Sequence, residues 1–232
     1  MAGIHNTTMT PGTLELLAAW LPTQPWYVET DREPELTQAG GFRLDDPQGE
    51  VEIEFMVVTD VSGDEPVSYH VPLTYRGAPL ARADDALIGT AEHGELGGRW
   101  VYDGTHDPVL IAQLLALLQG RAEPRAQSAT DTPDPSVTTS FSGAGLSIEI
   151  ESVAVANGPY GTDIVLESTT EAEPDSESAG LLIIRVTRVL RPDQQFSCPG
   201  TTEARGHVTA GWRSPDGDES RGVFVVLCHA AP

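Results

Sequence analysis

Hydrophobic positions in this chain fall into short runs whose period changes from one run to the next. After a break at Pro11-Gly12, Leu14, Leu16, Leu17 and Trp20 form a short apolar stretch stopped by Pro22, which predicts a helix, and Trp26 and Tyr27 follow as core anchors. From 40 to 44, 51 to 58 and 67 to 75 apolar and polar residues alternate, with Asp-Asp-Pro and Ser-Gly-Asp between the runs, the pattern of antiparallel strands and turns. The run from Val51 to Val58 alternates first and is then wholly apolar, so this strand is expected to pass from an edge into the middle of a sheet. Arg99 to Tyr102 reads as a further strand ended by Asp103-Gly104. Asp107 then suits an N-cap with Pro108 in the first helical position, and Val109, Leu110, Ile111, Leu114, Leu115, Leu117 and Leu118 supply an apolar helix that Gly120 ends. The simplest packing lays that helix on the sheet.

Between residues 121 and 139 the composition turns to Ala, Ser, Thr, Pro and Asp, which predicts a linker. Beyond it, 146 to 155, 163 to 167, 181 to 190, 207 to 212 and 222 to 228 read as strands, with an acidic, mobile loop expected from Ser168 to Ser178. The expected class is α+β, an antiparallel sheet with packed helices over 1–120, followed after the 121–139 linker by a β-rich part over 140–232. The pattern leaves open whether the two parts share one sheet.

Charge narrows the chemistry. Among 232 residues, 35 acidic side chains face 13 basic ones, for a net charge of -22, and every basic residue is arginine. Without lysine there is no Schiff-base nucleophile and no phosphate-gripping ammonium group. The same acidity repels polyanions, so neither nucleic acid nor an anionic membrane is expected as a partner. No run reaches the about 18 apolar residues of a membrane helix, and the first ten residues show no leader pattern, which places the expected site of action in the cytoplasm. In that setting Cys198 and Cys228, although able to meet across neighbouring strands, are expected to be reduced thiols.

Four segments in order carry a resemblance. Trp20-Leu-Pro-Thr-Gln-Pro-Trp-Tyr27, Tyr69-His-Val-Pro-Leu-Thr-Tyr-Arg76, Ala86-Leu-Ile-Gly89 and Val101-Tyr-Asp-Gly-Thr-His-Asp-Pro108 resemble the N-terminal cap of maltokinases in content and spacing. The resemblance covers about residues 10 to 120 and implies a cystatin-like cap, a curved antiparallel sheet with a helix. It also implies an association with maltose, trehalose or glycogen metabolism, with a pathway enzyme or α-glucan as partner. In maltokinases the catalytic aspartates and metal ligands sit in a later helical lobe, so a non-catalytic binding or regulatory role is expected, with no cofactor and no metal. Residues 181–192 resemble, faintly, the family's strand for the nucleotide-binding lysine, and Arg185 stands at that place, so the 140–232 part resembles a degenerate kinase intermediate region with at most weak nucleotide binding. Standalone cap-like proteins of this kind sometimes carry the label of a glucan branching protein; such an activity needs a barrel of about 250 residues, which this length does not offer.

Tyr102, Asp103, His106 and Asp107 are the one cluster with a base, an orienting carboxylate and a phenol, and as an active site they would act on a sugar or sugar phosphate with His106 as base. The structural reading, preferred here, makes Asp103-Gly104 a turn and Asp107 a helix cap. Candidate binding residues are Trp20, Trp26 and Tyr27 as sugar-stacking rings, unless they are core, with Arg76 and Tyr102 beside them. His70 is expected to point out of its strand and His93 to lie in a loop. Asp45-Asp46 and Asp84-Asp85 read as solvated turns, and Ser142-Gly-Ala-Gly145 lacks the lysine and helix of a phosphate loop.

Overall fold

The computed structural model describes residues 9–127, 132–142, 147–159, 161–173, 176–192, 198 and 203–229. In chain order its elements are β1 (Met9–Thr10), α1 (Thr13–Trp20), β2 (Leu36–Leu44), β3 (Val51–Asp60), β4 (Val67–Arg76), β5 (Leu87–His93), β6 (Gly97–Asp103) and α2 (Pro108–Leu118). They continue with β7 (Arg125–Ala126), β8 (Thr138–Phe141), β9 (Ser147–Gly158), β10 (Gly161–Glu173), β11 (Ser176–Thr187), β12 (Val189–Leu190), β13 (Glu203–Arg213) and β14 (Glu219–His229). Among the described residues the protein is thus mostly antiparallel sheet, with two short α-helices.

The strands join into one sheet in the order β1-β5-β6-β4-β3-β2-β13-β14-β11-β10-β9. Both halves of the chain therefore belong to a shared sheet. The junction of β2 with β13 is a single pairing, Gly40 with Trp212. It depends on glycine, because a Cβ on Gly40 would lie 3.3 Å from the Trp212 Cα, and one on Gly41 would lie 2.0 Å from the Phe55 carbonyl oxygen. A second junction closes the sheet on itself. β12 follows β11 after the one residue Arg188 and pairs with β4 through Val189–Tyr69 and Leu190–Ser68. β2, β3, β4, β11–β12, β14 and β13 therefore form a closed ring of pairings.

β3 shows why the ring has an inside and an outside. Val51, Ile53, Phe55 and Val57 point to one face, where they meet Leu110 and Leu114 of α2 together with Ile164, Ile184, Trp212 and Phe224 from the later strands. Met56 and Val58 point to the other, against Leu17, Trp20, Leu21 and Trp26, which α1 and the turn after it bring in. The main core is thus built by residues from both ends of the chain, at about 1.5–3 kcal/mol for each large side chain fully removed from water.

α1 and α2 lie where the apolar patterns put them, and the Asp107 side chain accepts from the Val109 N–H at 2.9 Å as the expected N-cap. β3 is central, flanked by β2 and β4, as its wholly apolar second half requires. Several expectations are corrected. Leu87–His93 is a full strand rather than a loop around His93. Of the expected loop Ser168–Ser178, the described backbone, 168–173 and 176–178, is strand, because β10 and β11 pair from Gly161–Thr187 to Glu173–Ser176. Within 121–139, Arg125–Ala126 pairs with β2, and β8 starts at Thr138 and pairs with β13. His70 is fully buried rather than turned out, since β12 covers the edge of β4 beside it and the His70 N–H donates to the Arg188 carbonyl at 2.9 Å. Cys198 and Cys228 form a disulfide, with Cα atoms 5.8 Å apart, instead of remaining free thiols. The Gly-rich segment 143–145 lies outside the described residues.

Candidate functional site

The segment after Tyr27 has no regular structure of its own, and one carboxylate holds it in place. Asp60, at the end of β3, accepts the Tyr27 hydroxyl at 2.9 Å and the backbone N–H groups of Glu35 and Ser62 at 3.0 and 2.9 Å. The Tyr69 hydroxyl accepts from the Val28 N–H at 3.0 Å, and the Thr30 and Ser62 hydroxyls share a hydrogen bond of 3.0 Å. Burial pushes the Tyr69 phenol well up, and burial followed by the bond to Asp60 raises that of Tyr27, so both stay protonated.

Residues 28–32 pinned in this way form one wall of a groove of about 990 Å³. The β3–β4 turn, residues 62–66, forms the second wall, the β13–β14 turn around Asp216 the third, and β12 with Arg191, Pro192 and Trp212 the floor. Five exposed carboxylates, Glu29, Asp31, Asp64, Glu65 and Asp216, line it against two guanidinium groups, Arg32 and Arg191. Trp212 offers little ring surface to the groove. It is 5% exposed, and its indole fits against Gly222, where an added Cβ would lie 3.1 Å from its edge.

Arg188, the residue before β12, is the centre of a buried polar cluster that sequence reasoning misses. Arg188, wholly buried, donates from Nη2 to Asp103 Oδ2 at 2.5 Å and from Nε to the Thr162 hydroxyl at 2.7 Å, with its guanidinium carbon 5.0 Å from the centre of the Trp26 ring. Asp103 Oδ1 accepts from the Thr105 hydroxyl at 2.8 Å. Burial alone raises the Asp103 carboxyl, but the Arg188 charge and the hydrogen bonds from Arg188 and Thr105 outweigh it and hold the group below the usual carboxylate range. His70 Nδ1 lies 3.0 Å from the Thr187 carbonyl, and burial, reinforced by the Arg188 charge, lowers the ring to about 3. It is therefore neutral, with the proton on Nδ1. The chain does carry a signal for Arg188: Leu182, Ile184, Val186 and Leu190 are the inward positions of one alternating strand, and Arg188 continues that parity while Arg185 does not.

The other candidate residues are brought into different places. Arg76 grips Asp107 with a two-bond fork, Nε to Oδ2 at 2.6 Å and Nη2 to Oδ1 at 2.7 Å, while Asp107 also caps α2. The two carboxylates flanking His106 are thus held by Arg188 and Arg76 and by local backbone, and His106 sits part-exposed between them. Tyr102 is buried, and its hydroxyl accepts from the Leu80 N–H at 2.9 Å. Trp20 and Trp26 pack edge to face, 5.7 Å apart, in the core under α1. Tyr27 stacks on Tyr69 at 5.6 Å. Arg185 pairs with Asp163 across β10 and β11 at 2.7 Å. Asp46 accepts three backbone N–H groups of its own turn, and Asp84 and Asp85 lie in a short 3-10 turn. Among the described residues no group of three or more His, Cys, Asp or Glu side chains could hold a metal ion, and no helix is long and apolar enough to cross a membrane.

Fold and groove together define an antiparallel β protein whose early strands close a ring with its late ones around one interior. Within it, residues 20–107, rather more than a third of the chain, match the maltokinase N-terminal cap domain. The matched segment takes in α1's last residue, the Asp60 anchor, Arg76, Asp103 and the Asp107 cap. No curated protein matches the chain.

Proposed function

We propose that the protein is a non-catalytic, cap-type docking module of maltose, trehalose or α-glucan metabolism, which binds an enzyme of that pathway rather than turning over a sugar. The observation that carries this reading is the state of Asp103 and Asp107. Each is committed to an arginine and to local backbone or hydroxyl donors, so neither orients His106 as a general base. An enzyme partner is favoured over α-glucan because three of the four candidate aromatics, Trp20, Trp26 and Tyr102, are spent in the interior, and the fourth, Tyr27, is stacked on Tyr69. Binding to a purified maltokinase of the same host, compared with maltoheptaose and glycogen by calorimetry, tests the reading. Saturable association with the enzyme, unchanged in His106→Ala, is the expected result. Turnover of a sugar or sugar phosphate by the protein alone, lost in His106→Ala, would replace it with the enzymatic one.

A further inference from the structure

We propose that the groove between the β3–β4 and β13–β14 turns receives an extended, arginine-bearing segment of a partner protein; this rests on the docking reading above and names the chemistry of what docks. Elsewhere three carboxylates are each paired with a guanidinium: Asp103 with Arg188, Asp107 with Arg76, Asp163 with Arg185. In the groove none of the five carboxylates is in an ion pair among the described residues, and they come from three separate segments onto one concavity. The two guanidinium groups do not balance them, and that of Arg32 is turned to the Ser62 carbonyl at 3.3 Å. Like charges gathered around a concave, low-dielectric wall repel each other and focus a negative potential, and an incoming cation relieves both effects.

Shape and apolar contacts say which cation. A space of about 990 Å³ is at the upper end for small ligands and has room for several residues of extended chain. Val28, 44% exposed, and the rings of Pro66 and Pro215 stand among the carboxylates. Such surface suits the aliphatic stem of an arginine whose head meets a carboxylate in a fork. The walls are also ready-made: Asp60, Tyr69 and the Thr30–Ser62 bond hold residues 28–35 against the β3–β4 hairpin, so little ordering is needed when a segment enters.

The experiment is fluorescence anisotropy with a labelled octapeptide of alternating arginine and alanine at physiological salt. A groove variant, Asp31→Asn with Asp64→Asn and Glu65→Gln, is compared with Asp84→Asn, Asp85→Asn and Glu92→Gln, which remove the same charge from exposed positions elsewhere. Thermal melts of both variants confirm that they fold. The groove variant is expected to weaken binding by on the order of tenfold and the control by less than about twofold. Equal losses in the two would mean that net charge alone attracts the peptide, and would overturn the inference. Displacement of the peptide by spermine at equal charge concentration would make the groove a site for small polycations and overturn the chain-segment assignment. If the pathway enzyme binds and ignores the groove variant, the docking reading stands and the groove inference falls; if the peptide binds through the groove and no pathway enzyme does, the reverse holds.

Discussion

Arg188 is wholly buried and lies where the late strands return to β4, so its ionic pair with Asp103 stands in the closure of the ring. Two charges taken out of water contribute little net stability as a pair, but removing one strands the other. Arg188→Met should therefore cost about 3–5 kcal/mol in chemical denaturation, most of it the penalty of an unpaired Asp103. Adding Asp103→Asn, which can still accept from Thr105, should recover the larger part of that loss, and a double-mutant cycle measures the coupling. Additive losses would mean that Arg188 acts by packing against Trp26 instead. His70, in the same cluster, makes stability depend on pH with a definite sign. Its folded value of about 3 lies below its ordinary 6.5 because burial and then the Arg188 charge oppose a second proton, with Asp103 opposing them more weakly. The unfolded chain therefore binds a proton first as pH falls. The contribution is complete above pH 6.5 and is lost progressively between 6.5 and about 3, to a total on the order of 5 kcal/mol. Urea midpoints at several pH values in this window should fall with acid, and His70→Gln, which can still donate to the Thr187 carbonyl, should flatten the slope just below pH 6.5.

At the scale of elements, α2 rests on a carboxylate with two tasks. Asp107 caps the helix and anchors Arg76, whose side chain is 18% exposed and can be resolvated. Asp107→Ala should cost about 1–3 kcal/mol, the cap accounting for about one of these. Asp107→Asn should recover most of the cap but not the fork, and melting temperatures separate the two. This cap is legible in the sequence, because Asp-Pro followed by a 3.6-residue apolar pattern is a local signal. The strands β3, β4 and β14 are legible for the same reason. β5 is not: Leu87–His93 carries glycine and charge among its seven residues, and Gly89 is there to admit the Leu16 side chain, 2.7 Å from where a Cβ would be. The site is less legible still. Asp31, Asp64-Glu65 and Asp216 each sit in a turn that reads as ordinary solvated surface, and only the pairing of β12 with β4 and of β13 with β2 sets those turns around one groove. Trp20 and Trp26 read as core or as sugar platform, and the packing of α1 over the outer face of β3 decides for core.

For the molecule as a whole, the boundary of the family match and the boundary of the fold differ. The match ends at Asp107, yet the inner face of the strands it contains is not covered until β14. Phe42 and Phe55 stack at 4.5 Å, and the remaining side of that pair is Phe224, 6.3 Å from Phe42 and itself 4.4 Å from His70. Ile164, Ile184, Val208, Trp212 and Leu227 complete the same interior. A chain cut after Gln127 would expose this face, lose β12 from the edge of β4, and leave Asp103 without Arg188. It is expected to keep strand content by far-ultraviolet dichroism but to lose cooperative melting and to bind a hydrophobic dye, because the hydrogen-bonded strands persist while their common core does not. Adding the 132–229 part as a separate polypeptide should restore a sharp transition if the ring can be reassembled from two pieces. A cut chain with a sharp transition of its own and no dye binding would show instead that the cap half closes its core unaided, and the pairing of β12 with β4 would then be a docking of two independent units.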